Sequence, residues 1–195
     1  MSHSVTLPHP IAVVFPILSE PQHMESLQRL TPEAQQFSLL PTDQIRLPKG
    51  GLAPLFSPTH PKTAAGLPRP RTIDALLTEE PGAEAGEIVE RVKFEFSGTV
   101  PLLFGLVKRP LAVAGAQVVE KNSRTVLFES GVEASGIREL KVRTFEEVIL
   151  DGGKEGTKVK ETVWGTCPFY LAPVLRIIAP GVHSEHMELY DKLFE

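Results

Sequence analysis

The chain has 195 residues, 42% of them hydrophobic and 23% charged, with a formal net charge of −4 at pH 7. That is the balance of a folded globular protein long enough to bury a core, and no Lys/Arg cluster has the interleaved aromatics of a nucleic-acid surface. The single cysteine, Cys167, excludes an internal disulfide and a cysteine-based zinc site.

The opening MSHSVTLPHPIAVVFPIL has no basic leader and its apolar run is broken by Pro16. It reads as neither signal peptide nor membrane span, and the chain as cytoplasmic. His3–Leu7 alternates as a short strand ended by Pro8 and Pro10. Pro10 suits a helix start, and Ile11, Val14, Phe15 and Leu18 recur at helical spacing. Ser19-Glu20-Pro21 breaks that helix. A second follows from about Gln22 to Leu30, with Met24, Leu27 and Leu30 on one side.

Residues 31–47 are mixed, with Gln44–Leu47 the best strand candidate. From Pro48 to Arg71 prolines and glycines are too dense for regular structure. Too little chain precedes this segment for an independent core, so it reads as a long loop or lid inside one domain spanning 1–195. Thr72–Leu77 fits a short strand or a helical turn. Glu87–Val100 is a strand with Val92, Phe94 and Phe96 on one face, and Pro101 and Gly105 suit an edge or corner after it. Gln117–Glu120 pairs with Thr125–Ala134 across Lys121–Arg124, and Ser135-Gly136 turns into Glu139–Leu150. The run from Glu87 is an antiparallel meander. After Cys167-Pro168 the period changes from two to 3.6. Phe169–Ile178 is apolar on most sides and Pro180-Gly181 interrupts it with a kink. Val182, His186, Leu189, Tyr190 and Leu193 then form the stripe of an amphipathic helix.

The most telling stretch is ELKVRTFEEVIL-DGGKEG-TKVKETVWGTC, Glu139 to Cys167. Folding it about Gly153-Lys154 sets Leu150 opposite Thr157, Val148 opposite Val159 and Glu146 opposite Glu161. Leu140, Val142, Thr144, Glu146, Val148 and Leu150 then share a face with Val159, Glu161 and Val163. Two carboxylates opposed on a mostly apolar face share a proton, bind a cation or meet a basic partner. The other face, with Arg143, Glu147, Lys160 and Trp164, reads as solvated, although an inward Arg143 in a barrel would grip a carboxylate or phenolate. A one-residue slip would exchange the faces and leave the glutamates structural.

Strand, two short helices, curved meander and terminal helix together resemble the START/Bet v 1-like (SRPBCC, polyketide cyclase/dehydrase-like) superfamily. The resemblance is carried by SVTLPHPIAVVFPILSEPQHM, by RTFEEV…GGKEGTKVKETVWG and by HSEHMELYDKLF. Residues 31–86 depart from it, being longer and Pro-rich. It implies an α+β helix-grip fold: a curved antiparallel sheet wrapped around a long C-terminal helix, two short helices near the N-terminus, and a cavity between sheet and helix. Members bind lipids, sterols, polyketides or plant hormones, and some catalyse cyclisation, dehydration or isomerisation. The fold does not choose among these.

No Ser-His-Asp spacing, phosphate-cradling loop or dinucleotide fingerprint is present. Scattered polar groups in an apolar cavity suit acid–base and shape catalysis. The expected function is therefore a cofactor-independent cyclase or isomerase acting on a polyketide-like or terpenoid-like substrate. Glu146, Glu161 and His186 are the candidate catalytic residues, one glutamate with a raised pKa if the two are buried together. Phe94, Phe96, Phe128, Val142, Trp164 and Tyr170 are the candidates for contacting the substrate. His183 and His186, three apart, would chelate a metal together with the two glutamates, but that spacing alone is weak and no metal is expected. The expected partner is an apolar small molecule, with no nucleic acid and no membrane span; a homodimer is left open. A non-catalytic lipid or sterol carrier is the alternative, and a module that grips a partner helix the third reading. Polar groups deep in the cavity favour the enzyme, an apolar cavity the carrier, and a filled one the interaction module.

Overall fold

The computed structural model describes residues 1–30, 34–52, 72–74, 85–102 and 107–195. Strand β1 (Ser2–Leu7) leads into helices α1 (Ile11–Ser19) and α2 (Met24–Arg29), joined by a 3₁₀ turn at Pro21–His23. Strands β2 (Ala34–Pro48), β3 (Ala85–Leu102), β4 (Val107–Glu120), β5 (Thr125–Val132), β6 (Ile137–Ile149) and β7 (Glu155–Thr166) follow, then helix α3 (Ala172–Glu188) and a 3₁₀ turn at Leu189–Phe194. All neighbours pair antiparallel in the order β1-β7-β6-β5-β4-β3-β2. This is the helix-grip α+β arrangement. Among the described residues no helix is long and apolar enough to cross a membrane.

Strand alternation feeds two cores, one on each face of the sheet. On the helix side, Val126, Phe128, Phe145 and Val159 pack against Val14, Leu18, Leu27, Met187 and Tyr190. On the outer side, Leu47, Leu52 and Ile73 cover Val118, Leu127, Leu140 and Val142, with Trp164 beside them. The sheet is therefore buried on both faces at β5 and β6, which is why four consecutive residues, Thr125–Phe128, are all inaccessible. Glu120 secures the outer cover by accepting the Leu52 N–H at 2.6 Å and the Ser123 hydroxyl at 2.5 Å.

The β6–β7 hairpin departs from the register expected from sequence. Its turn is centred on Gly152 and closed by Leu150 N–H to Lys154 O at 2.8 Å and Gly153 N–H to Leu150 O at 3.1 Å. Gly152 and Gly153 both take left-handed backbone, with φ of 78° and 75°, which only glycine adopts without strain. The pairing becomes Glu146 with Lys158, Phe145 with Val159 and Arg143 with Glu161. The slip is odd, so it exchanges the faces of one strand relative to the other. Glu146 faces outward and is exposed; Arg143 turns in beside Glu161.

Two further expectations are corrected. Pro180 does not interrupt the last helix, because a proline removes only its own rung, the one to Arg176, and α3 runs on to Glu188. Strand β2 is 15 residues long, far beyond Gln44–Leu47, because its register breaks absorb the irregular pattern, notably between Leu40 and Asp43. The expected lid at 48–71 is described only to Leu52, where Gly51 N–H bonds Pro48 O; its remainder lies outside the described residues, as do 75–77 and Gly105.

A methyl group added at Gly152 or Gly153 would meet nothing within 4 Å. Alanine at either position therefore costs only the backbone strain, about 1–2 kcal/mol, read as a lowered urea midpoint with an unchanged slope. Full stability in both variants would contradict the left-handed turn.

Candidate functional site

The inward positions of β6 run Ile137, Glu139, Lys141, Arg143 and Phe145, so one strand carries an anion and two cations onto an otherwise apolar face. Arg143 and Glu161 are both fully inaccessible. The Arg143 Nε donates to Glu161 Oε1 at 2.5 Å, Nη2 donates to the Tyr190 hydroxyl at 2.8 Å, and Nη1 donates to the Leu18 carbonyl. Tyr190 in turn donates to Glu161 Oε1 at 2.8 Å. The Leu18 carbonyl belongs to the last turn of α1, where free carbonyls favour a cation. The guanidinium also lies over the Phe128 and Tyr190 rings, 5.0 and 5.1 Å from their centroids.

Burial works to raise the Glu161 pKa, but Arg143, Lys141, the Tyr190 hydrogen bond and His183 outweigh it and hold the carboxyl well below the usual range. Burial equally works against the Arg143 charge, and Glu161 and Tyr190 more than restore it. Tyr190 is held well above the ordinary phenol value, chiefly by burial. The cluster is a locked ion pair with a phenol bridge.

Beside it, between the sheet and α3, lies a cavity of about 430 Å³. Phe94, Phe96, Val113 and Phe128 form much of its sheet wall, Leu175, Ile178, Ala179 and Val182 its helix wall, and Glu139, Lys141, His183 and His186 its ionisable groups, with Gln28 and Ser130 also polar. Burial pushes the Glu139 carboxyl upward, with Lys141 opposing and Glu161 adding. Burial pulls His186 down to about 3, helped by Lys141, and pulls His183 down as well. Lys141 Nζ sits 4.7 Å from the Phe128 ring centroid and 3.7 Å from Glu161 Oε2.

Of the residues singled out from sequence, Phe94, Phe96, Phe128 and His186 line this cavity, and Glu161 lies directly behind Lys141 and His183. Val142 is on the opposite face, in the outer core, because the hairpin register is odd-shifted, and Trp164 lies beside that core because it alternates with the inward Glu161 and Val163. Tyr170 precedes α3, is 63% exposed and packs edge-to-face on Phe169, outside the cavity. Glu146 stands opposite Lys158 on the outer face, so the two-glutamate dyad and the four-ligand metal arrangement are not assembled. Among the described residues no three His, Cys, Asp or Glu side chains are grouped to hold a metal ion. Sequence reasoning passed over Glu139 and Lys141 and put Arg143 on the solvated face, keeping an inward arginine that grips a carboxylate or phenolate as the alternative, which is the arrangement found. The available signal was Phe145, an aromatic sharing a face with all three charges.

No family model matches the chain, and no curated protein sequence does. Among solved structures, the protein TTHA0849 from Thermus thermophilus aligns over 99% of this chain and 92% of its own, at 11% identity and a TM-score of 0.49. An uncharacterised protein from Rhizobium leguminosarum covers 98% and 97%, at 15% identity and a TM-score of 0.44. Ara h 8.0201 covers 97% and 95%, at 12% identity and a TM-score of 0.43.

Removing one partner of the buried pair leaves a charge without compensation. Arg143→Met should cost about 3–5 kcal/mol, while Arg143→Met/Glu161→Leu recovers most of the loss; urea titration of both variants checks the difference. A double variant as unstable as the single one would contradict the account.

Acid should also destabilise the protein. Below pH 6.5 histidines charge in the unfolded chain, whereas His186, held near 3 by burial beside Lys141 and Arg143, stays neutral when folded. His183 acts in the same direction. Glu161 contributes stability above its unfolded value of about 4.5 that is lost as pH falls through its depressed folded value. Glu139, raised, opposes within its own window, where the folded chain takes up the proton first. Unfolding midpoints should therefore fall between pH 7 and pH 5, and fall less in His186→Asn. An equal slope in that variant would show that His186 titrates normally.

Proposed function

We propose that this chain binds a small, mostly apolar molecule bearing a polar group in the cavity between the sheet and α3. The supporting observation is the division of the cavity wall: aromatic and aliphatic over most of its area, with Glu139, Lys141, His183 and His186 as its ionisable groups and Gln28 and Ser130 as its neutral polar ones. A volume of about 430 Å³ falls among the roughly 300–1,000 Å³ of small-molecule sites. Ile178 and Val182 line the cavity and are also 52% and 55% exposed, so entry runs along α3.

Acid–base catalysis on the bound molecule is the second reading, favoured by one observation. Within one cavity, burial raises the Glu139 carboxyl and lowers the His186 imidazole, so the same desolvation moves the proton affinities of an acid and a base in opposite directions. In this reading a cyclase or isomerase of a polyketide-like or terpenoid-like compound uses Glu139 where sequence reasoning placed Glu146. Glu161, held by two donors on one oxygen, serves as the anchor of the wall, not the acid.

Native mass spectrometry of the purified chain before and after organic extraction tests both readings. Ala179→Trp, which fills the helix wall, should lose an extractable small molecule that the wild type retains, with unchanged circular dichroism. A wild type that neither retains nor takes up any apolar molecule would overturn the binding reading. A retained compound that wild type converts and Glu139→Gln leaves intact would establish catalysis; identical recovery from both would leave a carrier.

A further inference from the structure

Glu139 and Lys141 are neighbouring inward positions of β6, and both line the cavity. The backbone sets them about 7 Å apart. Neither makes a hydrogen bond among the described residues, and no ion pair joins them. Their polar atoms stay open to the cavity, unlike Glu161 Oε2 and His183 Nε2, which are closed off. Lys141 Nζ sits over the Phe128 ring, 4.7 Å from its centroid. It is 3.7 Å from Glu161, whose other oxygen already accepts from Arg143 and Tyr190. An amine and an acid thus stand side by side on an aromatic wall, each with hydrogen-bonding capacity unused.

The charges around them do not balance. Arg143 and Glu161 cancel behind the wall. Burial keeps His183 and His186 neutral at pH 7. It also favours the protonated form of Glu139, which leaves the Lys141 ammonium in excess.

Resting on the binding reading above, we infer that the ligand is an apolar carboxylic acid whose carboxyl lies between Lys141 and Glu139. One of its oxygens accepts from the ammonium, the other shares a proton with the glutamate, and its skeleton lies along Phe94, Phe96 and Phe128. One proton between two carboxyls leaves a single negative charge, which the ammonium offsets. A hydroxyl has one oxygen to offer to two heads. An ester accepts from both but brings no charge, and an amide bridges both with the same deficit. An ammonium would pair with Glu139 but add a cation beside Lys141 and Arg143. The site thus selects by charge as well as by hydrogen-bond type.

The test is calorimetric titration of the full chain at pH 7 with 2-naphthoate, 2-naphthamide, methyl 2-naphthoate and 2-methylnaphthalene, which share a skeleton and differ in the one group. Naphthoate should bind at least about tenfold more tightly than the ester and the hydrocarbon, the worth of one hydrogen bond to a charged group, and more tightly than the amide. In Lys141→Met that preference should disappear while methylnaphthalene binds as before, which also shows that the variant folds. In Glu139→Leu naphthoate should weaken, because the carboxyl that shares its proton is gone. Equal affinities across the series, a tighter amide, a preference that survives Lys141→Met, or naphthoate no weaker in Glu139→Leu would each overturn the carboxyl assignment and leave the binding reading in place. If none of the four binds, both fall.

Discussion

The structure depends on a buried guanidinium. Arg143 reaches from β6 to the last turn of α1, to Glu161 on β7 and to Tyr190 beyond α3, so one side chain joins four parts of the fold. Taking that charge out of water is costly, and only a partner of opposite charge with further hydrogen bonds makes it tolerable. Glu161 and Tyr190 supply both. An apolar cluster of the same volume would bury as well, but it would not dictate which carbonyl of α1 docks or which rotation of the C-terminal turn is accepted. The ion pair specifies the arrangement of helices on the sheet.

The same lock gives the cavity its polarity. With Oε1 of Glu161 held by two donors, the carboxylate presents Oε2 toward Lys141 and His183. Burial behind α3 then sets the neighbours apart: Glu139 keeps its proton to higher pH than a free carboxyl, and His186 loses it far more readily than a free imidazole. Structural electrostatics and site chemistry are therefore continuous, and neither can be altered without disturbing the other.

A second consequence follows from burying the sheet on both faces. Leu140 and Val142 belong to the outer core with Leu47, Leu52 and Ile73, which frees the inward positions of β6 to carry charge. A sheet with a single buried face would have to spend those apolar residues on the helix side. Period-two alternation is ambiguous when both faces are covered, since an apolar residue no longer marks the inside.

Local chemistry was enough for much of the fold. Pro10 and Pro21 bracket α1, the Phe94–Phe96 alternation marks β3, and the DGGK segment announces a hairpin; the helix-grip fold itself came from the family resemblance that the order of these elements carries. Phe94, Phe96 and His186 could be named as cavity candidates because each carries a local period that orients it, whereas Phe128 lies in a run of four buried residues where no period does. What remained undetermined was the relation between two strands. Whether the turn centres on Gly152 or between Gly153 and Lys154 changes no local propensity, yet it decides whether Arg143 or Glu146 accompanies Glu161 inside. Sequence by itself determined which elements form and which residues alternate along them, because those depend on neighbours along the chain. Only the tertiary structure decided which alternate set faces the helix, because that depends on the desolvation of a charge and on the partners that reach it from distant segments.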